Sequence, residues 1–271
     1  MTSRFGTCGW SYPDWVGCFY ADGSVARDWL PQYASSLDLV EADTTFYRVP
    51  PPALVKRWFE CTPADFRFTL KVPQEVTHER KLVGIASPLA HFLDVTSALA
   101  EKRAAVLFQF PYFNRKVFAS AGEFYDRLDA TLKLVPGGVR CAVEIRNRTY
   151  LTVEYLKLLA SHAAAPALTS QPWMPDARDY LSMAGPLWSD FAYVRLLGDR
   201  HGIEEMTTRW DRTIIDRSSD IASWTELVGR ISASTPDVDV YVLANNHYAG
   251  HAPDTLRQLQ GMPPERLAVI A

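Results

Sequence analysis

Short runs of β-branched and aromatic residues recur along this chain, and stretches with helical periodicity separate them. Runs of this kind are typical of buried strands, and the stretches between them are long enough for helices that cover a sheet. Regular alternation of strand and helix implies parallel strand pairing. The predicted strands cover residues 5–8, 39–43, 66–71, 104–109, 140–146, 165–169, 192–197 and 240–244.

Helical periodicity fills several of the intervals between these runs. We predict helices over 87–101, 121–135, 153–162 and 219–232. The first of them places Leu89, Phe92 and Leu93 near one face, as a helix that covers a sheet requires. Eight strand–helix units predict an α/β fold, a single (β/α)₈ TIM-type barrel domain over residues 1–271. A doubly wound open sheet is the alternative, but no glycine-rich phosphate-binding sequence follows the first strand.

Alternation within the strands predicts which side chains enter the barrel. In the fifth strand, the apolar face is predicted to meet the helices, which turns Glu144 and Arg146 inward. The same reasoning turns charged or amide residues inward near the ends of four other strands: Glu41 with Asp43, Lys71, Gln109 and Arg195. Buried charges need partners, and barrel enzymes carry their function at the carboxyl ends of the strands. The site is therefore predicted there.

Overall charge and cysteine usage narrow the class of protein. The net charge is −3, from 28 basic and 31 acidic residues, so nucleic acid as a partner has no support beyond a local basic patch. We expect no membrane partner and a cytoplasmic location, because the sequence shows neither a signal peptide nor a run of about 20 apolar residues. The 4 cysteines match no zinc spacing and are predicted to be reduced. The sequence identifies no cofactor.

Several segments of the sequence look like signature motifs. They are GTCGWSYPDWVGCFY at 6–20, EADTTFYRVP at 41–50, LKVPQEVTHER at 70–80 and NNHYAGHAP at 245–253, with QFP from Gln109 and EIR from Glu144. In these segments and in their order, the chain resembles the DUF72 (YecE-like) family over essentially its whole length. The resemblance implies a TIM-barrel fold and no established biochemical activity.

The chain departs from that family pattern at several positions. Asp43 stands where the family commonly has asparagine. Residues 147–150 read NRTY where HPSW is usual, and Leu197 stands where a histidine often follows. An added carboxylate and a missing imidazole would alter proton-transfer or metal chemistry.

The candidate catalytic residues are Glu41, Glu144 and His247. The two glutamates are candidates for acid and base, or for metal ligands together with Asn246 and His247. The alternative is that the glutamates form ion pairs with Lys71, Arg146 or Arg195, and that Asn245, Asn246 and His247 cap the last helix. The identity of any metal stays open.

The inward cations suggest a ligand. Lys71, Arg146 and Arg195 end different strands and together would grip a phosphate or a carboxylate. The aromatic side chains between Trp10 and Tyr20 either wall a pocket or cover the barrel. Further ligand-binding candidates are Trp10, Tyr47, Arg48, His78, Gln109, Asn245 and Asn246.

Three functions fit these residues. The leading hypothesis is an enzyme that acts on a small anionic molecule, with a phosphorylated one as an example. The second is a divalent-metal-dependent hydrolase or isomerase, with nucleic acid among its candidate substrates. The third is a non-catalytic protein that binds a ligand in the barrel. Fold alone does not choose among them.

Overall fold

A computed structural model describes residues 3–183, 186–234 and 237–261 of the chain. Its strands are all parallel and close into a barrel in sequence order, with β1 beside β8. The strands are β1 Ser3–Cys8, β2 Leu39–Ala42, β3 Arg67–Lys71, β4 Arg103–Gln109, β5 Cys141–Glu144, β6 Ala165–Thr169, β7 Phe191–Leu196 and β8 Asp239–Ala244. The predicted fold class is confirmed. The extent of the predicted domain stays a prediction, and residues 262–271 of it lie outside the described residues.

Helices follow the strands and cover the outside of the barrel. They are α1 Ala26–Ser36, α2 Pro52–Glu60, α3 Ala86–Thr96, α4 Ala121–Leu132, α5 Val153–Ser161, α6 Ala177–Ser182, α7 Arg200–Met206, α8 Ser218–Ser234, α9 Asn246–Ala249 and α10 Ala252–Leu259. The four predicted helices are present. Two begin at side-chain caps, where Ser120 accepts from the Glu123 amide and Thr152 accepts from the Tyr155 amide. Such caps satisfy amides that have no partner within the helix.

Side chains from alternate strand positions form two separate cores. The outward face of β5, with Cys141 and Val143, packs under the helices in the larger core. The inward face carries Ala142, which packs with Leu39 and Tyr193 inside the barrel. The inward and outward faces predicted from alternation are therefore those of the structure.

The first two strands approach each other unusually closely. A Cβ atom added to Gly6 would lie 2.0 Å from the backbone oxygen of Leu39, its register partner in β2. No side chain fits at that distance, so Gly6 serves the packing of β1 against β2. At the end of β1, Gly9 adopts a φ of +89°, a backbone conformation that favours glycine.

Two further expectations concern the chain as a whole. All 4 cysteines are free thiols, as predicted. Within the described residues, no helix has both the length and the apolar character needed to cross a membrane.

Candidate functional site

A buried guanidinium joins two strands across the carboxyl end of the barrel. The Nη2 atom of Arg195, on β7, donates to Glu41 Oε1 on β2 at 2.5 Å. Its Nη1 atom donates to Glu144 Oε2 on β5. The two glutamate side chains are fully buried, and the arginine side chain is 4% exposed. We call these three residues the buried triad.

Neighbouring hydroxyl groups complete the bonding of Glu41. The Tyr193 hydroxyl donates to Glu41 Oε2 at 2.9 Å, and Thr69 Oγ1 lies 2.8 Å from the same hydroxyl. Burial is the main cause that raises the pKa of Tyr193, so this hydroxyl remains a donor at neutral pH. Tyr193 shares its inward face with Arg195, a placement that the alternation in β7 already predicts, although its role as a partner of Glu41 does not follow from sequence.

The charges of the buried triad reinforce one another. Burial alone would raise the pKa of Glu144, but Arg195, Arg146 and Lys71 together lower it. Burial would likewise lower the pKa of Arg195, yet the two glutamates raise it well above its usual value. Glu144 and Arg195 are therefore both ionised at neutral pH. Both terminal nitrogens of Arg195 are occupied by carboxylates, so they are not open to a ligand.

Two cations beside the triad, Lys71 and Arg146, make fewer contacts with carboxylates than Arg195 does. Lys71, at the end of β3, places its Nζ atom 4.2 Å from the centre of the Phe46 ring. Among the described residues, its ammonium forms no ion pair and no side-chain hydrogen bond. Arg146 contacts Glu144 only through Nε, at 3.4 Å, and its side chain is 33% exposed. Both cations therefore keep donors for a ligand. We call this end of the barrel, with the triad, Lys71 and Arg146, the mouth.

Two aromatic candidates, His78 and Tyr47, contact the Phe46 ring that Lys71 faces. The His78 ring contacts the edge of Phe46, with centroids 4.8 Å apart, and its Nδ1 lies 2.8 Å from Thr77 Oγ1. Burial and the nearby cations Lys71 and Arg146 lower the pKa of His78 to about 4, so the ring is neutral at pH 7. Tyr47 also contacts Phe46 but is 71% exposed.

Asp43 lies near the triad and, among the described residues, forms no ion pair with an arginine. A Cβ atom on Gly9 would lie 3.2 Å from both Asp43 Oδ1 and the Tyr12 hydroxyl, which brings these groups to one point above β1. Burial and the charge of Glu41 raise the pKa of Asp43, while Lys71 opposes the shift. The sequence marks Asp43 as a departure from the family pattern and as an inward-facing residue, but its position beside Tyr12 depends on loop geometry.

Buried polar atoms without a partner mark the floor of the mouth. Arg195 Nε and Thr169 Oγ1 have no hydrogen-bond partner among the described residues. The two residues are register partners on β7 and β6. Buried polar groups are normally hydrogen-bonded, so this is a place where an ordered water molecule would be held. The side-chain amide of Gln109, on β4, already has a partner, since its Nε2 donates to the backbone oxygen of Phe110 at 3.1 Å.

The segment after β8 has a structural role in the fold. Asn245 caps α9 by accepting from the His247 amide at 2.9 Å, and Asn246 Oδ1 accepts from the Ala252 amide at 2.9 Å. The His247 ring lies 3.3 Å from Glu204 Oε1 and makes an edge contact with Trp210. The two asparagines therefore act as helix caps, which is the alternative to a ligand-binding role that the sequence analysis gives for them.

The side chains that the sequence suggests as metal ligands do not lie together in the structure. Within the described ranges, no three histidine, cysteine, aspartate or glutamate side chains are grouped so that they could hold a metal ion. Glu41 and Glu144 instead share Arg195, and His247 forms no ion pair with either. The structure does not bring these candidate ligands together, because His247 turns towards the connection between β7 and β8.

The aromatic residues after β1 divide into two groups. Trp15, Phe19 and Tyr20 are buried, and Tyr20 stacks on Trp29 with centroids 5.7 Å apart, so they cover the barrel. Trp10 instead lines a separate cavity. Arg48 also lines that cavity, and no residue of the triad is among its described lining residues.

The chain is similar to one protein family over nearly its whole length and to individual curated proteins over part of it. A family model described as "Protein of unknown function DUF72" matches residues 4–268. The UPF0759 protein YecE of Escherichia coli K12 is 32% identical over 139 residues, which is 51% of this chain and 46% of that protein. The UPF0759 protein YunF of Bacillus subtilis 168 is 30% identical over 167 residues, 59% of this chain and 56% of that protein. The alignments thus span about half the length of these relatives.

Solved structures share the barrel at lower sequence identity. A DUF72 family protein from Thermotoga maritima superposes with a TM-score of 0.74 at 24% identity, covering 96% of this chain and 98% of that one. A DUF72 family protein from Enterococcus faecalis gives 0.69 at 22% identity, covering 96% and 94%. A D-psicose 3-epimerase gives 0.54 at 8% identity, covering 89% and 84%. These likenesses show the fold alone.

Proposed function

We propose a function for this chain, which belongs to the DUF72 family of proteins of unknown function, from the geometry of its barrel mouth. The mouth is an enzyme site for a small anionic molecule. Lys71 and Arg146 hold the anionic group, and Asp43 exchanges a proton with the substrate. The buried triad positions these groups and does not itself contact the ligand.

The observation that carries this proposal is the uncommitted ammonium of Lys71. Three acids and three bases meet at the mouth, so the net charge of the fully ionised site is zero. The charges are unevenly distributed, however, because Arg195 lies between two glutamates while Lys71 has no ion-pair partner among the described residues. Burial and the charge of Arg195 lower the pKa of Lys71. The charge of an anion bound beside it would oppose this lowering.

The choice of Asp43 as the proton-exchanging group follows from the difference between two carboxylates. The pKa of Glu144 is lowered, mainly by Arg195 against the effect of burial, which makes Glu144 a poor base. The pKa of Asp43 is raised by burial and by Glu41, which moves it towards neutrality. Environments that shift the pKa values of two carboxylates in opposite directions are characteristic of acid–base sites. Glu41 and Glu144 were the sequence-based candidates for this role, but both are fully buried and bound to Arg195.

Inorganic phosphate is the probe that tests anion binding. At constant ionic strength, phosphate at about 100 times its dissociation constant should stabilise the fold by roughly 2.7 kcal/mol. Lys71→Gln should abolish most of this stabilisation. Lys56→Gln is the matched control, because Lys56 is 73% exposed and pairs only with Glu60 across one helical turn. Equal stabilisation of wild type and Lys71→Gln would place the anion elsewhere, and no stabilisation of any variant would contradict the proposal.

Proton exchange is tested by calorimetry of the same binding reaction. Titrations at about pH 5.5 in two buffers with different ionisation heats give the number of protons taken up when phosphate binds. An anion next to Asp43 should raise its pKa further, so wild type should take up a fraction of a proton and Asp43→Asn should take up less. Phosphate binding that is identical in the two proteins, with no proton uptake, would favour the non-catalytic alternative.

A further inference from the structure

We propose that a second cavity, outside the mouth, binds a small molecule that combines a planar apolar ring system with one anionic group. The cavity has a volume of about 300 Å³ and lies between the segment after β1, helix α1 and helix α2. Its size is within the range of small-molecule sites, which are usually apolar with a few placed polar groups. The inference does not depend on the function proposed for the mouth.

The floor of this cavity is aromatic and rigid. Trp10 and Trp58 meet edge to face with ring centroids 5.4 Å apart. Trp58 in turn stacks near Phe68, with centroids 6.0 Å apart, and is 5% exposed. Leu30 and Leu54 complete the apolar lining. The two tryptophan rings are nearly perpendicular and Trp58 is almost completely buried, so the apolar surface offered to a planar ligand is mainly that of Trp10, whose packing against Trp58 leaves it little side-chain entropy to lose.

The rim of the cavity is cationic. Arg27, Arg48 and Arg57 line it, and none of the described lining residues is acidic. The Arg57 Nη2 atom donates to the backbone oxygen of Arg27 at 3.2 Å, which leaves its other donors available. Arg27 has only an exposed contact of 3.6 Å with Asp28. Arg48 forms no ion pair with any residue that the structure describes.

Together the floor and the rim select one class of ligand. A neutral apolar molecule would use the tryptophans but leave three guanidinium groups without a counter-charge. A small polar anion such as phosphate would use the arginines but leave the aromatic floor uncovered. A ring-bearing carboxylate, sulfonate or phosphate uses both, because guanidinium groups bind such anions in bidentate fashion and also stack on planar rings.

Binding is tested with 2-naphthoate, and with 2-naphthol as a neutral analogue with the same ring system. We expect wild type to bind 2-naphthoate, as measured by calorimetry, at least about fivefold more tightly than 2-naphthol. Arg48→Gln should reduce this preference by a similar factor, since the exposed guanidinium contributes a single charge-assisted contact. Arg230→Gln is the matched control, because Arg230 is 65% exposed and pairs with Glu226 on the far helix α8.

The location of the ligand is tested by two cysteines in the same molecule. Cys61 lines the cavity, whereas Cys18 does not. Both thiols are partly buried, and burial raises the pKa of both. Saturating 2-naphthoate should slow the reaction of Cys61 with N-ethylmaleimide, followed by peptide mass spectrometry, while that of Cys18 stays unchanged.

Three results would overturn this inference. The first is equal affinity for 2-naphthoate and 2-naphthol, which would leave an apolar pocket without anion selectivity. The second is an Arg48→Gln variant that binds 2-naphthoate as wild type does. The third is binding that Lys71→Gln abolishes and Arg48→Gln leaves intact, which would place the ligand at the mouth and support the function proposed there instead.

Discussion

Replacing Arg195 by methionine should expose how the mouth is held together. The change removes the guanidinium from between Glu41 and Glu144 and substitutes an apolar side chain of similar reach. Both carboxylates are fully buried, so neither can turn to solvent without a local rearrangement. Glu41 keeps the hydrogen bond from Tyr193, and Glu144 keeps the 3.4 Å contact with Arg146. Two buried carboxylates are thus left with one weak partner each.

The expected cost follows from the loss of these ion pairs. Removing one partner of a buried ion pair typically destabilises a protein by about 3–5 kcal/mol. The contacts that remain offset part of the loss for the second carboxylate, so we expect about 4 kcal/mol for Arg195→Met at pH 7. In a chain of this size each kcal/mol lowers the melting temperature by roughly 2 °C, which gives a decrease of about 8 °C.

The cost should depend on pH in a defined direction. In wild type, the lowered pKa of Glu144 provides stability that is present above the unfolded pKa and is lost as the pH falls through the folded pKa. In Arg195→Met the carboxylates are buried without their cation, which raises their pKa values. The variant therefore loses stability as the pH rises above the unfolded value of about 4.3. The difference between the two proteins should be small near pH 4 and largest near pH 7.

Urea unfolding of both proteins at several pH values between about 4 and 7.5 measures this difference. Arg230→Met is the control, because it removes an arginine that is 65% exposed and should change the free energy of unfolding by less than about 0.5 kcal/mol. A cost below about 1 kcal/mol for Arg195→Met, or one that does not vary with pH, would refute the reasoning. Either result would mean that water replaces the guanidinium at little cost.

Two further predictions concern backbone packing and a histidine. Gly6→Ala should lower the free energy of unfolding by about 3 kcal/mol, because its Cβ would lie 2.0 Å from the oxygen of Leu39. Gly229→Ala is the control for urea unfolding, since open space surrounds the added atom and the change should be neutral or stabilising. Equal effects of the two changes would contradict the close approach of the strands. The His78 ring should titrate at a pKa of about 4 in an NMR titration, because it is partly buried near Lys71; a pKa near 6.5 in wild type would mean that the imidazole is solvated and away from the cation.

Alternation along the strands was sufficient to predict much of the fold. In β5, apolar residues at every second position identify the helix-facing side, so Glu144 has to point into the barrel. The same period of 2 places Glu41 and Arg195 inside, although they are 154 residues apart in sequence. Strand order also followed, because successive parallel strands joined by helices pair in sequence when the sheet closes.

The sequence left the partners of these side chains open, with ion pairs between the glutamates and Lys71, Arg146 or Arg195 as one alternative, and the structure shows the pairing with Arg195. Nothing in the alternation decides whether Arg195 faces a ligand or two glutamates, because that depends on barrel radius and side-chain rotamers. His247 illustrates the same limit after a strand ends, since a cap at Asn245 turns its ring towards Glu204. Loop geometry, which has no period, also brought Asp43 next to Tyr12.

The arrangement of charge at the mouth separates positioning from binding. The triad uses its ionic contacts internally, and ion pairs of this kind contribute little net stability compared with well-packed apolar side chains. Their effect is instead to fix Glu144, and through it the 3.4 Å contact to Arg146, on β5, which lies two strands from Lys71 on β3. Loss of Arg195 should therefore weaken anion binding only indirectly, by releasing Arg146, whereas loss of Lys71 removes a direct contact. A double-mutant cycle for phosphate affinity between Arg195→Met and Arg146→Gln should accordingly show strong coupling.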